Sequence, residues 1–397
     1  MIKKITSSRS VRFCLYFYAV SAGFLTVAPD EVHAIPLYAR RHGLNCNACH
    51  QIVPTLNQFG LEYWNRGYRL PPEMEDPNNE TTPFAAWYTW RQEEQPDRGF
   101  GEGFLPKVEL ITGGPIGEQF SYFVEWRIVS LETRGDGSLR DRSGRFEDAF
   151  INWQPNDVHT VTLGQYRALN QVDVSRRVSI GEPLLFSAGL PGDPAPGDPR
   201  LTSLRGFSPS GRSPGVTYSL QLLQDEGSAS DGLFFFGTVP FVGELSVPLT
   251  TDAHTEASFE LHGEVKGVFL ETFYRQGLSS IGMHAFIDDD RYLLTSMGVY
   301  NYENLFITAG VGVDDGEGRD QRIRASGEFE YLLARDYCDR FRPGVGFRIE
   351  DISDSDPRYV PYFIIAGPNE EHTFFVQFQY GIQEDNNVFT LDISAVH

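Results

Sequence analysis

Gln119-Phe120-Ser121-Tyr122-Phe123-Val124-Glu125-Trp126-Arg127-Ile128 is the stretch whose reading decides the fold. Successive side chains of an extended strand point to opposite faces. Phe120, Tyr122, Val124, Trp126 and Ile128 therefore share one face. An apolar face sustained over about ten residues is the pattern of a strand tilted through a thin apolar band, as in a transmembrane β-barrel. The alternation returns in Glu256 to Leu261, Val268 to Tyr274, Arg322 to Tyr331, Thr373 to Tyr380 and Val388 to Val396. No run after residue 80 is long and apolar enough for a transmembrane helix.

Between the strand-like runs, connections of two kinds alternate. Tight ones are expected at Gly113 to Gly117, Gln154 to Asp157, His262 to Gly267, Tyr302 to Asn304 and Gly367 to Glu370. Long, polar, acidic ones span Thr133 to Arg145, Arg167 to Pro214, Asp314 to Gln321 and Asp351 to Arg358. Short turns on one side and long loops on the other are how outer-membrane barrels are built, and closure favours an even strand number. The pattern predicts a mainly β fold, an antiparallel transmembrane barrel of about sixteen strands. Its rival is a soluble sandwich or propeller, which alternation alone does not exclude, although no blade-sized repeat is present. The loop from Arg167 to Pro214 has a core, Pro191 to Pro199, that is incompatible with regular structure. Two readings stand for it: an inward constriction or an outward surface loop.

Moving outward to the N-terminus, Lys3, Lys4, Arg9 and Arg12 precede an apolar run from Phe13 to Val27, and Val32-His33-Ala34 offers small residues for cleavage. Residues 1–34 read as a secretory signal, removed together with Cys14. Export places the mature chain where disulfides and covalent haem attachment both occur.

Next comes Cys46-Asn47-Ala48-Cys49-His50, the C-x-x-C-H attachment signature of c-type haem. Cys46 and Cys49 add to the haem vinyl groups, and His50 is the proximal axial ligand of the iron. A dithiol redox motif or half of a zinc site are the other readings. Zinc needs two more ligands at suitable spacing, and the remaining cysteine of the mature chain, Cys338, is distant and reads as a lone thiol. Pro54 suits the first turn of a helix, and Leu56, Phe59, Tyr63 and Gly67 recur at spacings of three and four. This predicts a short helix covering one haem face and stopped at Gly67. The distal iron ligand is left between Met74, in the stiff run Pro71 to Asp76, His42, and an open or water-bound position.

Ala39-Arg40, Gly43, Cys46 to His50, Pro54, Leu56-Asn57, Phe59-Gly60 and Gly67-Tyr68 together resemble the haem segment of the fused cytochrome–porins of bacterial outer membranes. The resemblance covers only this part of the chain. It implies a monohaem cytochrome joined to a β-barrel, and its best-known members are proposed to oxidise extracellular ferrous iron.

Taken together, the expected organisation is a signal peptide over 1–34, a monohaem segment over 35–80 and an outer-membrane barrel over 81–397. One covalent haem c inside an insulating wall points to electron transfer across the outer membrane. The haem segment would plug the lumen, with the porphyrin near the outer mouth and its edge open to the lumen or periplasm. The expected partners are Fe(II) or another reductant outside, a periplasmic c-type cytochrome or other carrier inside, and outer-membrane lipid around the wall. If the chain is an enzyme, it is an Fe(II)-oxidising oxidoreductase. Two alternatives remain: a diffusion porin with a structural or sensory haem, and a soluble periplasmic β-protein carrying a haem. The formal charge of −21, with no basic stripe, disfavours nucleic-acid binding. Asp288-Asp289-Asp290, Asp314-Asp315, Asp351, Asp354, Asp356 and Glu384-Asp385 fall at predicted strand ends. They either concentrate cations at the mouth or keep the loops soluble, and no iron site is assigned to them.

Overall fold

The computed structural model describes residues 37–52, 55–71, 74, 84–95, 100–101, 105–133, 139–171, 185–186, 211–223, 228–245, 259–265, 267–288, 291–316, 321–333, 342–353, 356–366, 373–382 and 387–396. The signal segment with Cys14, Cys338, the Pro191 to Pro199 stretch, the Gly367 to Glu370 turn and Glu384-Asp385 lie outside them.

Sixteen antiparallel strands close into a barrel. They are β1 (Ala85–Gln95), β2 (Leu105–Ile116), β3 (Phe120–Thr133), β4 (Phe146–Trp153), β5 (His159–Arg167), β6 (Arg212–Leu223), β7 (Gly232–Leu245) and β8 (Val268–Gln276). The circuit continues through β9 (Ser279–Ile287), β10 (Arg291–Tyr302), β11 (Leu305–Gly316), β12 (Arg322–Leu332), β13 (Arg342–Ile352), β14 (Arg358–Ala366), β15 (Thr373–Gly381) and β16 (Val388–Val396). The seam joins β16 to β1, in register from Val396 opposite Trp87 to Phe389 opposite Glu94. Closure leaves no edge strand to pair with another chain.

Three short strands, Phe100–Gly101, Leu139–Asp141 and Phe259–Val265, pair with β1, β3 and β7, respectively. Each lies just upstream of β2, β4 or β8 and extends the same ladder past an irregularity. The expected turn at His262 to Gly267 is thus a break within one long strand. Likewise Gly113 and Gly114 lie inside β2, and the turn itself is residues 117–119.

The turn at 117–119, together with those at 154–158, 277–278 and 303–304, marks one end of the barrel, here the turn end. Connections 134–145 and 168–211 leave from the opposite, loop end.

The two faces of the wall differ as the alternation requires. Outward positions are apolar and exposed, among them Phe120, Ile151, Leu163, Phe235, Leu270, Ile281, Leu294, Ile307 and Ile323. Inward positions carry paired charge. Asp314 accepts from Arg324 at 2.7 Å and pairs with Arg291, Arg91 reaches Asp392 at 2.7 Å, and Tyr362 donates to Glu328 at 2.8 Å and Glu330 at 3.0 Å. Charges removed from water need such partners, because an unpaired buried charge is costly. Asp314 is therefore an ion-paired wall residue and not a free carboxylate of an acidic mouth.

Of the two readings of the long loop, the inward one holds for its described residues. Ala168, Leu169, Leu185 and Phe186 form one buried cluster with Phe269, Phe286, Leu293 and Met297 of β8, β9 and β10. The backbone N–H groups of Asn170 and Gln171 donate to the Glu271 carboxylate at 2.9 and 2.6 Å, and Arg275 donates to both carbonyls.

Candidate functional site

The segment before β1 folds into α1 (Leu37–His42), α2 (Cys46–Cys49), a small hairpin of His50–Ile52 with Thr55–Leu56, and α3 (Gln58–Asn65). Asn57 ties these pieces together. Its side chain caps α3 by accepting from the Gly60 N–H at 2.9 Å, and its amide donates to the carbonyls of Ala48 at 2.9 Å and Asn47 at 3.2 Å. Its backbone N–H adds a bond to the Cys49 carbonyl at 2.9 Å. Cap and cysteine turn are thus one unit, and replacing such a cap costs about 0.5–2 kcal/mol. Gly60 completes the fit, since a β-carbon there would collide with the Cys49 carbonyl.

Cys46 and Cys49 are not joined in a disulfide and stand one helical turn apart, a spacing that puts both on one helix face. Burial, with the neighbouring Cys46, pushes the Cys49 thiol up to about 11. A dithiol oxidoreductase needs the reverse, a thiol lowered toward neutrality. Nor do ligand atoms converge here as zinc requires, for among the described residues the one close group of three His, Cys, Asp or Glu is elsewhere, at Glu109, Glu125 and Glu147. What the turn offers is two thiols on one face and a histidine directly after them in extended backbone, with φ −121° and ψ 141°. That donor set fits a covalently attached haem.

Of the distal candidates, His42 is buried, with its Nε2 2.9 Å from the Tyr63 hydroxyl. Met74 is exposed, and its N–H donates to the Pro71 carbonyl at 2.9 Å. The predicted helix is realised as α3 but starts later, at Gln58 after the Asn57 cap, because Leu56 belongs to the hairpin, while Pro54 lies outside the described residues. It ends as expected, Gly67 taking φ +63° with its N–H bonded to the Trp64 carbonyl at 3.0 Å. Tyr68 follows with φ +64°, a rare conformation for a residue with a side chain. Its N–H bond to the Tyr63 carbonyl at 2.9 Å holds it there.

The segment is seated inside the turn end of the barrel. Trp64 packs on Phe123 and Phe150, with ring centroids 5.9 and 6.3 Å apart, and Tyr68 packs on Phe123 at 6.0 Å. Phe123 lies on the opposite face of β3 from Phe120, Tyr122 and Val124, so these contacts are made in the lumen. Polar bonds fasten the segment to the turns. Arg69 donates to the carbonyls of Phe120 at 2.7 Å and Gly117 at 3.1 Å. Gln154 donates to the Asn65 carbonyl at 2.7 Å, Asn65 to that of Ala229 at 3.0 Å, and Arg342 to that of Gln51. The segment that carries Cys46 to His50 is thus fastened at the end of the barrel with the short turns.

One cluster escaped the reading of the sequence. Glu109, Glu125 and Glu147 bring carboxylate oxygens within 4.8 Å of one another on the lumen face of β2, β3 and β4. Lys107 stands 2.7 Å from both Glu109 and Glu147, Arg212 lies 3.3 Å from Glu125 and 3.0 Å from Asp148, and Arg127 pairs with Glu147. These cations bridge the carboxylates, so the cluster is a wall network on the loop-end side of Phe123 and Phe150. Its signal was the polar half of the alternation, Glu125 and Arg127 falling between the apolar residues of β3.

Similarity to solved structures agrees with this architecture. The porin OmpF of Salmonella typhi, solved in complex with daunomycin, aligns over 79% of this chain and 97% of its own, with 11% identity and a TM-score of 0.50. This chain has the porin fold. The anion-selective porin of Comamonas acidovorans aligns over 79% of this chain and 98% of its own, with 11% identity and a TM-score of 0.49. No family model matches the sequence, and no curated protein does.

Proposed function

We propose that the chain is a haem-carrying barrel of the bacterial outer membrane that passes electrons between the cell exterior and a periplasmic carrier. The apolar outer face supports the membrane location and argues against the soluble β-protein. The observation that carries the electron-transfer reading is the Cys46–Cys49–His50 turn braced by Asn57 and Gly60 within the lumen.

A covalent haem supplies one-electron exchange at its iron. The residues that would hold it are Cys46 and Cys49 as thioether donors and His50 as proximal ligand, with Met74 and His42 as the distal candidates. Short turns face the periplasm in barrels of this kind, so the segment exchanges electrons with a periplasmic c-type cytochrome or similar carrier at the turn end. Ferrous iron, or another small reductant, approaches from the loop end through the lumen. In this role the chain acts as an Fe(II)-oxidising oxidoreductase.

The test is a visible spectrum of the outer-membrane fraction, followed by addition of ferrous iron to intact cells. Reduced c-type bands appear on addition if the reading is right. A colourless purified protein, or a haem that answers only to membrane-permeant reductants, overturns it.

The porin fold favours a second reading, a diffusion channel whose haem is structural or sensory. Liposome swelling separates the two: the electron-transfer reading expects little solute flux, because the segment and the inward loop both occupy the lumen.

A further inference from the structure

Three buried hydrogen-bond donors stand together in the plug, and among the described residues none of them meets a carboxylate or a carbonyl. Among the described residues, the buried hydroxyls of Tyr38 and Tyr68 face no polar partner but each other, and the buried Nη1 of Arg41 has none. They are not loosely placed. Tyr38 stacks on Tyr68 with centroids 5.0 Å apart and planes within 8°, and it meets Tyr63 edge-on at 5.3 Å. The barrel wall is cut away to admit them: a β-carbon on Gly113 would strike the Tyr38 hydroxyl, and one on Gly114 would strike the Arg41 guanidinium. Buried donors are expected to be satisfied, and a guanidinium beside two phenols is a set that suits a carboxylate. The nearby acid, Asp148, is bound to Arg212 at 3.0 Å.

We propose that Arg41, Tyr38 and Tyr68 receive the propionate edge of the haem, an inference that rests on the covalent-haem reading above. On the porphyrin the propionates lie on the edge away from the two vinyl groups that the cysteines take. The donors must then stand apart from Cys46 and Cys49, on the far side of the ring. Gly60 lies against Cys49, Tyr63 is about one turn further along α3, and the rings of Tyr38 and Tyr68 pack on Tyr63 at 5.3 and 6.1 Å. Arg41 offsets the propionate charge, which otherwise favours the ferric state, while the two hydroxyls fix its direction. The rare backbone of Tyr68, at φ +64°, is the local cost of aiming its hydroxyl into this group.

The test uses the full mature chain purified in detergent, as wild type and as the Arg41→Gln, Arg41→Lys, Tyr38→Phe and Tyr68→Phe variants. The pyridine haemochrome spectrum measures covalent haem, resonance Raman reads the propionate bending band, and a redox titration gives the midpoint potential. Arg41→Gln is expected to keep its covalent haem, shift the propionate band and lower the midpoint potential. Arg41→Lys should restore most of the potential, and the two phenylalanine variants should shift the Raman band with a smaller fall in potential. An unchanged band and potential in Arg41→Gln and Tyr68→Phe, with haem attached, overturn this inference and leave the proposed function standing. Absence of covalent haem from the wild type removes both.

Discussion

Gly60 stands against the carbonyl oxygen of Cys49 so closely that no β-carbon fits between them. The first turn of α3 is thereby laid on the cysteine turn, and the same carbonyl accepts the Asn57 N–H at 2.9 Å. The contact joins the two halves of the plug and is the first place to test it.

Gly60→Val should unseat α3, since overpacking of this kind costs about 1–3 kcal/mol and the partner is backbone that cannot rotate away. The expected outcome is a several-fold drop in covalent haem per barrel, read by haem absorbance against protein, while heat-modifiable migration shows the barrel folded. Normal haem content in Gly60→Val would mean that α3 and the cysteine turn are independent.

Asn57→Ala removes a helix cap and two bonds to the cysteine turn together. A loss of about 0.5–2 kcal/mol is expected from the cap alone. Amide exchange in residues 58–65 should accelerate, with the barrel strands unaffected.

Trp64→Ala loosens the plug where it meets Phe123 and Phe150. Truncating a buried aromatic costs about 3–5 kcal/mol, and a half-exposed one less. Single-channel recordings should show larger or more frequent conductance steps than the wild type. Equal conductance would show that the segment is not what limits flow through the lumen.

Before any haem is attached, the Cys49 thiol, pushed up to about 11, is protonated at neutral pH. Because the thiolate is the nucleophile, alkylation of the haem-free chain should be slow at pH 7 and should accelerate as the pH rises toward 11. Fast alkylation at neutral pH would return the dithiol reading to contention.

Arg324→Met strands Asp314 and removes a donor to the Leu185 carbonyl. Breaking a buried pair from one side costs about 3–5 kcal/mol, although Arg291 remains as a partner of Asp314 and softens the loss. Limited proteolysis should cut the 168–211 connection sooner than in the wild type.

Sequence alone determined what is local. A period of two in β3 separates an apolar face from a polar one whatever the chain does elsewhere, and repeated around the chain it implies a barrel with an even strand count. Cys46, Cys49 and His50 are close in the chain, so the motif that suggests haem attachment is read without a fold, and so is the stop at Gly67. Tertiary structure decided everything that depends on which distant residues meet. Gly113 and Gly114 read as a turn because glycine pairs favour turns; they lie inside β2 because Tyr38 and Arg41, some seventy residues earlier, need the space their missing side chains leave. The inward course of Ala168 to Gln171 follows from Glu271 and Arg275 of β8, and the seating of the plug at the turn end follows from Gly117, Phe120, Gln154 and Arg342. Periodicity records which way a side chain points, but register and closure choose its neighbour, and a buried charge or an orphaned donor takes its meaning from that neighbour.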